Sequence, residues 1–339
     1  MRPALIAAIA ISALASAASA APADGELVAE RPCQRPAIAY ADYVASLVKA
    51  YQDEADLAAK AGVAVRPASD YAKALRTAAE YDAIAAHPSA CRRILYGSDG
   101  LRVSGFIWEP AERPAGRKLP VVIALRGGNQ EYGKWTPGAR NGMAAMTGAG
   151  FIVIGVQYRG VDGGEGQEEF GGADVHDVLA AIALARRLPE ADPDNVFLEG
   201  FSRGGMEAML ALGAGARVNA AVLVSPWTDL EMEAKLRPAV VANVWSKLIP
   251  NFAADPVGAL AAHSGVRIAK GKDLPPLLLL HGTADWRASP QNSVEVAEAL
   301  KARGRPYALE LFEGDVHGLQ WNWRERDRLE IAWFKDHMR

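Results

Sequence analysis

Asn195-Val196-Phe197-Leu198-Glu199-Gly200-Phe201-Ser202-Arg203-Gly204-Gly205-Met206-Glu207-Ala208-Met209-Leu210-Ala211 joins a short apolar run to a run of helix formers. Between the two lies Gly200-Phe201-Ser202-Arg203-Gly204, a G-x-S-x-G sequence in the strand–turn–helix setting that a nucleophile elbow requires. The glycines have a steric reason. So tight a turn brings the residues two before and two after the serine against neighbouring backbone, where a Cβ would clash. Ser202 is therefore expected at the tip of the turn, its Oγ exposed above the N-terminus of the following helix.

On either side of this stretch, Val121–Leu125, Phe151–Val156, Ala220–Val224, Leu277–Leu280 and Tyr307–Phe312 read as strands, most of them continuous in apolar residues. Helical patterns at Met143–Ala149, Asp174–Leu188 and Val294–Lys301 alternate with them, Asp174 reading as an N-cap. Upstream, Ile94 to Ile107 alternates on either side of Ser98-Asp99-Gly100, a strong hairpin signal. The fold class is α/β: a doubly wound, mostly parallel sheet with an N-terminal antiparallel hairpin and a preceding helical segment. The domain reading is a signal peptide at 1–20, a tail and helices at 21–91, and one catalytic domain at 92–339. A helical cap insertion is expected at about 227–273. In the N-terminal segment, Tyr43, Leu47 and Tyr51 recur at four-residue spacing, with a break from Gly62 to Ser69.

Arg2, the apolar run from Ala4 to Leu14 and Ala18-Ser19-Ala20 have the form of a secretory signal peptide. The run is shorter than the ~20 residues that span a bilayer, so the expectation is cleavage and export, with no membrane association afterwards. Cys33 and Cys91 are the only cysteines, and an even count in an oxidising compartment predicts a disulfide between them. A formal net charge of -3 and the lack of a basic stripe argue against a nucleic-acid partner. Two distant cysteines make no metal-ligand set, and no metal or cofactor is expected.

A serine hydroxyl needs a base to take its proton and a third group to orient that base. Of six histidines, His317 sits in a Gly-punctuated loop just after the last strand, on the same sheet edge as the elbow, and is the candidate base. Asp285, in the loop after Leu277–Leu280, is the candidate acid, with Asp229 as runner-up and Asp315 set aside as too near His317. His281 is expected to anchor the acid loop. Oxyanion donors are expected from the N–H of Arg203 and from Arg126-Gly127-Gly128-Asn129, with Gly128 chosen and Gly127 and Asn129 close behind. Arg126, Trp227, Trp245 and Trp321 are candidate pocket residues, with Trp323 beside them. Glu165, Glu168 and Glu169 are weighed as a site for a peptide amino terminus.

Taken together, these motifs resemble an α/β-hydrolase of the prolyl oligopeptidase type, the group that includes dipeptidyl and acylaminoacyl peptidases. The likeness rests on Ser98-Asp99-Gly100, Arg126-Gly127-Gly128, Gln157-Tyr158-Arg159-Gly160, Phe170 to Asp174 with Asp177, Gly200 to Gly205, Ser225-Pro226-Trp227, His281-Gly282 with Asp285, and His317-Gly318. It covers about 92–339 and implies Ser202, Asp285 and His317 as the triad. Two departures stand out. Residues 21–91 are too few for the four or more blades of the propeller usual in such peptidases. Arg126 also stands where several members place a tyrosine that helps the oxyanion. The expected function is an exported serine peptidase acting on short peptides. A carboxylesterase with the same triad is the alternative, and a non-catalytic binding protein the third reading.

Overall fold

The computed structural model describes residues 20–34, 38–86, 89–113, 116–137 and 140–339. The expected signal peptide lies outside these residues except for Ala20. Nine strands make one sheet: β1 (Leu27–Pro32), β2 (Ala90–Ser98), β3 (Leu101–Glu109), β4 (Leu119–Leu125), β5 (Ile152–Val156), β6 (Ala191–Phe201), β7 (Ala221–Val224), β8 (Leu277–Gly282) and β9 (Tyr307–Phe312). Their order is β1-β2-β3-β5-β4-β6-β7-β8-β9. The first three pairings across the sheet are antiparallel and the other five parallel.

β6 lies inside the sheet between β4 and β7, which explains why its apolar residues are not interrupted. Val196 and Leu198 face a core built with the helices Asp174–Arg187, Arg203–Gly213 and Gln291–Ala302. Phe197 faces the opposite core, its ring 4.9 Å from that of Phe334 in the helix Trp323–Asp336. With both faces covered, each buried Leu or Phe adds roughly 1.5–3 kcal/mol over leaving it in water. The β2–β3 hairpin turns on Asp99 and Gly100, with φ of 51° and 75°, the left-handed pair that a two-residue turn needs.

Two local expectations are corrected. The tail expected at the start of 21–91 supplies β1, which pairs antiparallel with β2 at the sheet edge. Its side chains are nearly all exposed, so the backbone pairs without leaving an apolar alternation in the sequence. Asp174 is the first helical residue rather than the cap. Its carboxylate turns back to accept the N–H groups of Glu169 (2.7 Å) and Gly171 (3.2 Å).

Among the described residues no helix is long and apolar enough to cross a membrane. The helices Tyr40–Lys60 and Ala68–Tyr71 dock on the loop that follows β9. Tyr51 stacks on Tyr71 at 4.3 Å and meets the edge of Trp321 at 5.5 Å, while Val316 closes the same cluster.

Cys33 and Cys91 form the expected disulfide, with Cα atoms 5.4 Å apart in space and 58 positions apart in sequence. Closing a loop of that length removes unfolded-state entropy equivalent to about 4 kcal/mol at most. The double variant C33S/C91S should therefore unfold at clearly lower urea than the oxidised parent. An unchanged midpoint would assign the bond no part in stability.

Candidate active site

The elbow forms for the steric reason its glycines suggest. A Cβ on Gly200 would lie 2.5 Å from the carbonyl oxygen of Gly204, and one on Gly204 would lie 2.0 Å from that of Leu125. Ser202 takes φ 56° and ψ -121°, a strained conformation for a residue with a side chain. The helix Arg203–Gly213 starts at once behind it, so the N–H of Arg203 has no partner within the helix.

Three loops at the carboxyl ends of parallel strands converge on this turn. His317 Nε2 lies 2.9 Å from Ser202 Oγ, and His317 Nδ1 lies 2.8 Å from Asp285 Oδ2. A carboxylate only accepts, so Nδ1 carries the imidazole hydrogen and Nε2 turns its lone pair to the hydroxyl. Asp285 is buried, and its Oδ1 accepts the N–H groups of Arg287 and Ala288, each at 2.9 Å. Burial opposes the charge of Asp285, but its interactions with His317 and His281 outweigh burial and hold the carboxyl well below its usual range.

His281 stiffens the acid loop. Its Nε2 faces the Ala288 carbonyl at 3.1 Å and Asp285 Oδ2 at 3.3 Å, so Nε2 donates and Nδ1 accepts from Ser293 Oγ at 2.8 Å. The acid and base loops are zipped together by Ala284 N–H to Asp315 O at 3.0 Å. The carboxylate of Asp315 accepts four donors, from Val316, Trp321 and both the backbone and side chain of Asn322, and so shapes the loop carrying His317. Asp229, the runner-up acid, caps the helix Leu230–Leu236 by accepting the N–H of Met232 at 2.9 Å.

Beside the elbow, a Cβ on Gly127 would lie 2.9 Å from Ser202 Cβ, so the Gly127-Gly128 backbone passes directly against the serine. Among the described residues neither glycine N–H donates to a protein acceptor. Arg126 lines the cavity at this point, as expected, but its guanidinium is taken up by the loop. It is buried and donates to the carbonyls of Gly127, Gln130, Tyr132 and Gln157.

Ser202 and His317 open into a cavity of about 680 Å³, walled by Phe170, Phe201, Trp227, Trp286, Val240 and Val244. Trp227 is a wall residue, its indole N–H held by the Arg287 carbonyl at 3.0 Å. Trp245 is not. It is wholly buried one layer behind, edge-on to Trp227 at 5.5 Å. Trp321 is not a wall residue either, being used in docking the N-terminal helices. Trp323 stacks under Arg76 at 4.0 Å. The three glutamates weighed for an amino terminus are otherwise engaged: Glu165 with Arg102, Glu168 with Arg126 and Arg203, and Glu169 with the N–H of Ala173.

Charge at the cavity comes from residues that sequence reasoning passed over. Arg287 pairs with Glu54 at 2.7 Å, and its guanidinium lies 4.8 Å from the ring of Trp286. Arg237, paired with Glu233 at 2.8 Å, also lines the cavity. Trp286 and Arg287 follow the acid directly, and that adjacency was a usable signal. Glu54 lies on the helix Tyr40–Lys60, and nothing in the sequence links it to the site.

The sequence profile of the Prolyl oligopeptidase family matches residues 137–339. This chain belongs to the prolyl oligopeptidase family. As a member of that family it is a serine hydrolase. It is 31% identical over 225 residues to the Bacillus subtilis (strain 168) protein called uncharacterized peptidase YtmA, covering 63% of this chain and 80% of that one. It is 25% identical to dipeptidyl-peptidase 5 of Porphyromonas gingivalis over 68% of this chain and 35% of the relative. The solved structure of a Mycobacterium tuberculosis puromycin-hydrolyzing peptidase aligns with a TM-score of 0.65 and 25% identity, over 74% of this chain and 39% of that one. The chain thus spans most of YtmA but well under half of the other two proteins.

Proposed function

We propose that this chain is an exported peptidase that cleaves short peptides through an acyl-enzyme on Ser202. The observation that carries the reading is the unbroken line from Asp285 through His317 to Ser202, ending in the cavity. In the first half-reaction His317 Nε2 takes the Ser202 proton as Oγ adds to the substrate carbonyl. The oxygen that becomes negative is met by the N–H groups of Arg203 and Gly128. The C–N bond then breaks, His317 returns its proton to the leaving amine, and the acyl group stays on Oγ. Water repeats the sequence with His317 again as base and frees the acid.

A cavity of about 680 Å³ suits a few residues of extended chain rather than a folded substrate. The Glu54–Arg287 pair offers both signs of charge there, so either end of a short peptide can exchange for one partner. Export is supported by the signal-like start of the chain and by the Cys33–Cys91 bond, which persists in an oxidising compartment.

A carboxylesterase is the second reading, favoured by the apolar walls at Phe170, Trp227, Trp286, Val240 and Val244. A panel of aminoacyl and dipeptidyl nitroanilides set against nitrophenyl esters separates the two. The peptidase reading expects anilide turnover, because His317 can protonate an amine leaving group. Turnover of esters alone would replace it with the esterase reading.

A further inference from the structure

We propose that Arg203 and Glu168 are positioning residues whose buried ion pair fixes the oxyanion loop Gly127–Tyr132 against the nucleophile turn. The proposal rests on the reading of Ser202 as nucleophile and adds to it the means by which two donors from separate chain segments are kept at one spacing.

Arg203 directly follows Ser202, so its backbone and side chain have different tasks. The backbone N–H is the first of the two assigned oxyanion donors, while the guanidinium is buried against the rings of Tyr158 at 4.5 Å and Phe170 at 4.7 Å. From there it donates to the carbonyl of Gly128 at 3.2 Å and pairs with Glu168 Oε1 at 2.8 Å. One side chain therefore touches the residue assigned as the second oxyanion donor and the carboxylate that holds the rest of that loop.

Glu168 completes the link. Its oxygens accept the N–H of Gln130 at 2.9 and 3.0 Å and face Arg126 Nη2 at 3.3 Å. Arg126 in turn holds the carbonyls of Gly127, Gln130 and Tyr132, so the loop is wound around one guanidinium and tied by one carboxylate to Arg203. Asp174 and Glu207 also contact Arg203 but bond no residue of this loop. Burial pushes Glu207 up to about 8, against the pull of Arg203.

Stability alone is a poor reason for this cluster. Apolar residues of the same volume often serve as well or better than buried ion pairs, because each ion gives up its hydration. What apolar residues cannot do is hold four carbonyls and an N–H of a glycine loop in one arrangement. Such geometry matters most where donors must meet a charge that appears only in the transition state.

The test compares E168Q, which keeps the shape, and E168D, which keeps the charge, with E207Q, which loses none of the loop's hydrogen bonds. Steady-state kinetics on the best substrate of the panel are combined with binding of a peptidyl boronate, which forms a tetrahedral adduct on the serine. Losing one oxyanion donor costs on the order of 10²–10³ in kcat, and partial misplacement costs less. E168Q is expected to lower kcat by about 10–100-fold with KM within about threefold, E168D less so, and boronate affinity should fall in step with kcat. E207Q should stay within about threefold of the parent. Parent-like kcat in folded E168Q, or a fall in kcat with boronate affinity unchanged, overturns the proposal. Failure of both Glu168 variants to fold would assign the pair to stability and overturn it too. An S202A control separates the two readings. If S202A keeps activity, the nucleophile assignment fails; if it loses activity while E168Q does not, only the positioning proposal fails.

Discussion

Ser202→Ala is expected to lower kcat by on the order of 10⁶-fold while leaving the fold and thermal midpoint close to the parent's. The rate effect is large because, on the proposed acyl-enzyme route, the Oγ is the atom that bonds to the acyl group, and among the described residues no other hydroxyl is held by His317 in its place. The small stability effect follows from what the hydroxyl does in the resting protein. Its single described partner is His317, in a half-buried site open to the cavity. The strained φ of 56° is imposed by Gly200 and Gly204 packing around the turn, and alanine suffers it to the same degree as serine. Kinetics and thermal unfolding of the purified variant check both halves. A rate loss below tenfold would remove Ser202 from the chemistry.

Asp285→Asn should cost about 10⁴-fold in kcat with little change in KM. Asparagine fits the volume and can still accept the N–H groups of Arg287 and Ala288 through its oxygen. Its amide nitrogen then faces His317 Nδ1, which must accept instead of donate. The ring hydrogen moves to Nε2, and the imidazole can no longer take a proton from Ser202. Stability supplies an independent readout. The folded carboxyl is held below its ordinary value of 3.8, so Asp285 stabilises the fold above about pH 4, and this contribution fades as pH falls. The asparagine variant should therefore lose less stability than the parent on acidification. Parent-like kcat in Asp285→Asn would return the acid's role to another residue.

Both predictions concern residues legible in the amino-acid sequence, and the reason is physical. Strands buried on both faces leave continuous apolar runs, so Val121–Leu125 and Leu277–Leu280 announce themselves, and the loops behind them fall at one edge of the sheet. The turn at Asp99-Gly100 was legible because only a short list of residues tolerates two successive positive φ values. Where the sequence misled, the signal was of another kind. β1 pairs through its backbone with exposed side chains, so no alternation marks it. Tryptophan is buried in many settings, and composition cannot separate Trp227 on the cavity wall from Trp245 behind it or Trp321 in a docking face. Glu54 reaches Arg287 across 233 residues of chain, and the buried partners of Arg203 lie 29 and 35 positions upstream as well as one turn ahead at Glu207. A charged residue in a sequence says what it can bond, while the fold alone says to what.

Mass mapping after reaction with a fluorophosphonate puts the activated serine to its plainest trial, since the reagent bonds to a serine only where an activated hydroxyl and a preset oxyanion site coincide. One adduct per chain is expected, on Ser202, absent from the Ser202→Ala variant and much slower to form in Asp285→Asn. An adduct on a different residue, or none on folded parent protein, would contradict the assignment of Ser202, His317 and Asp285 as one catalytic unit.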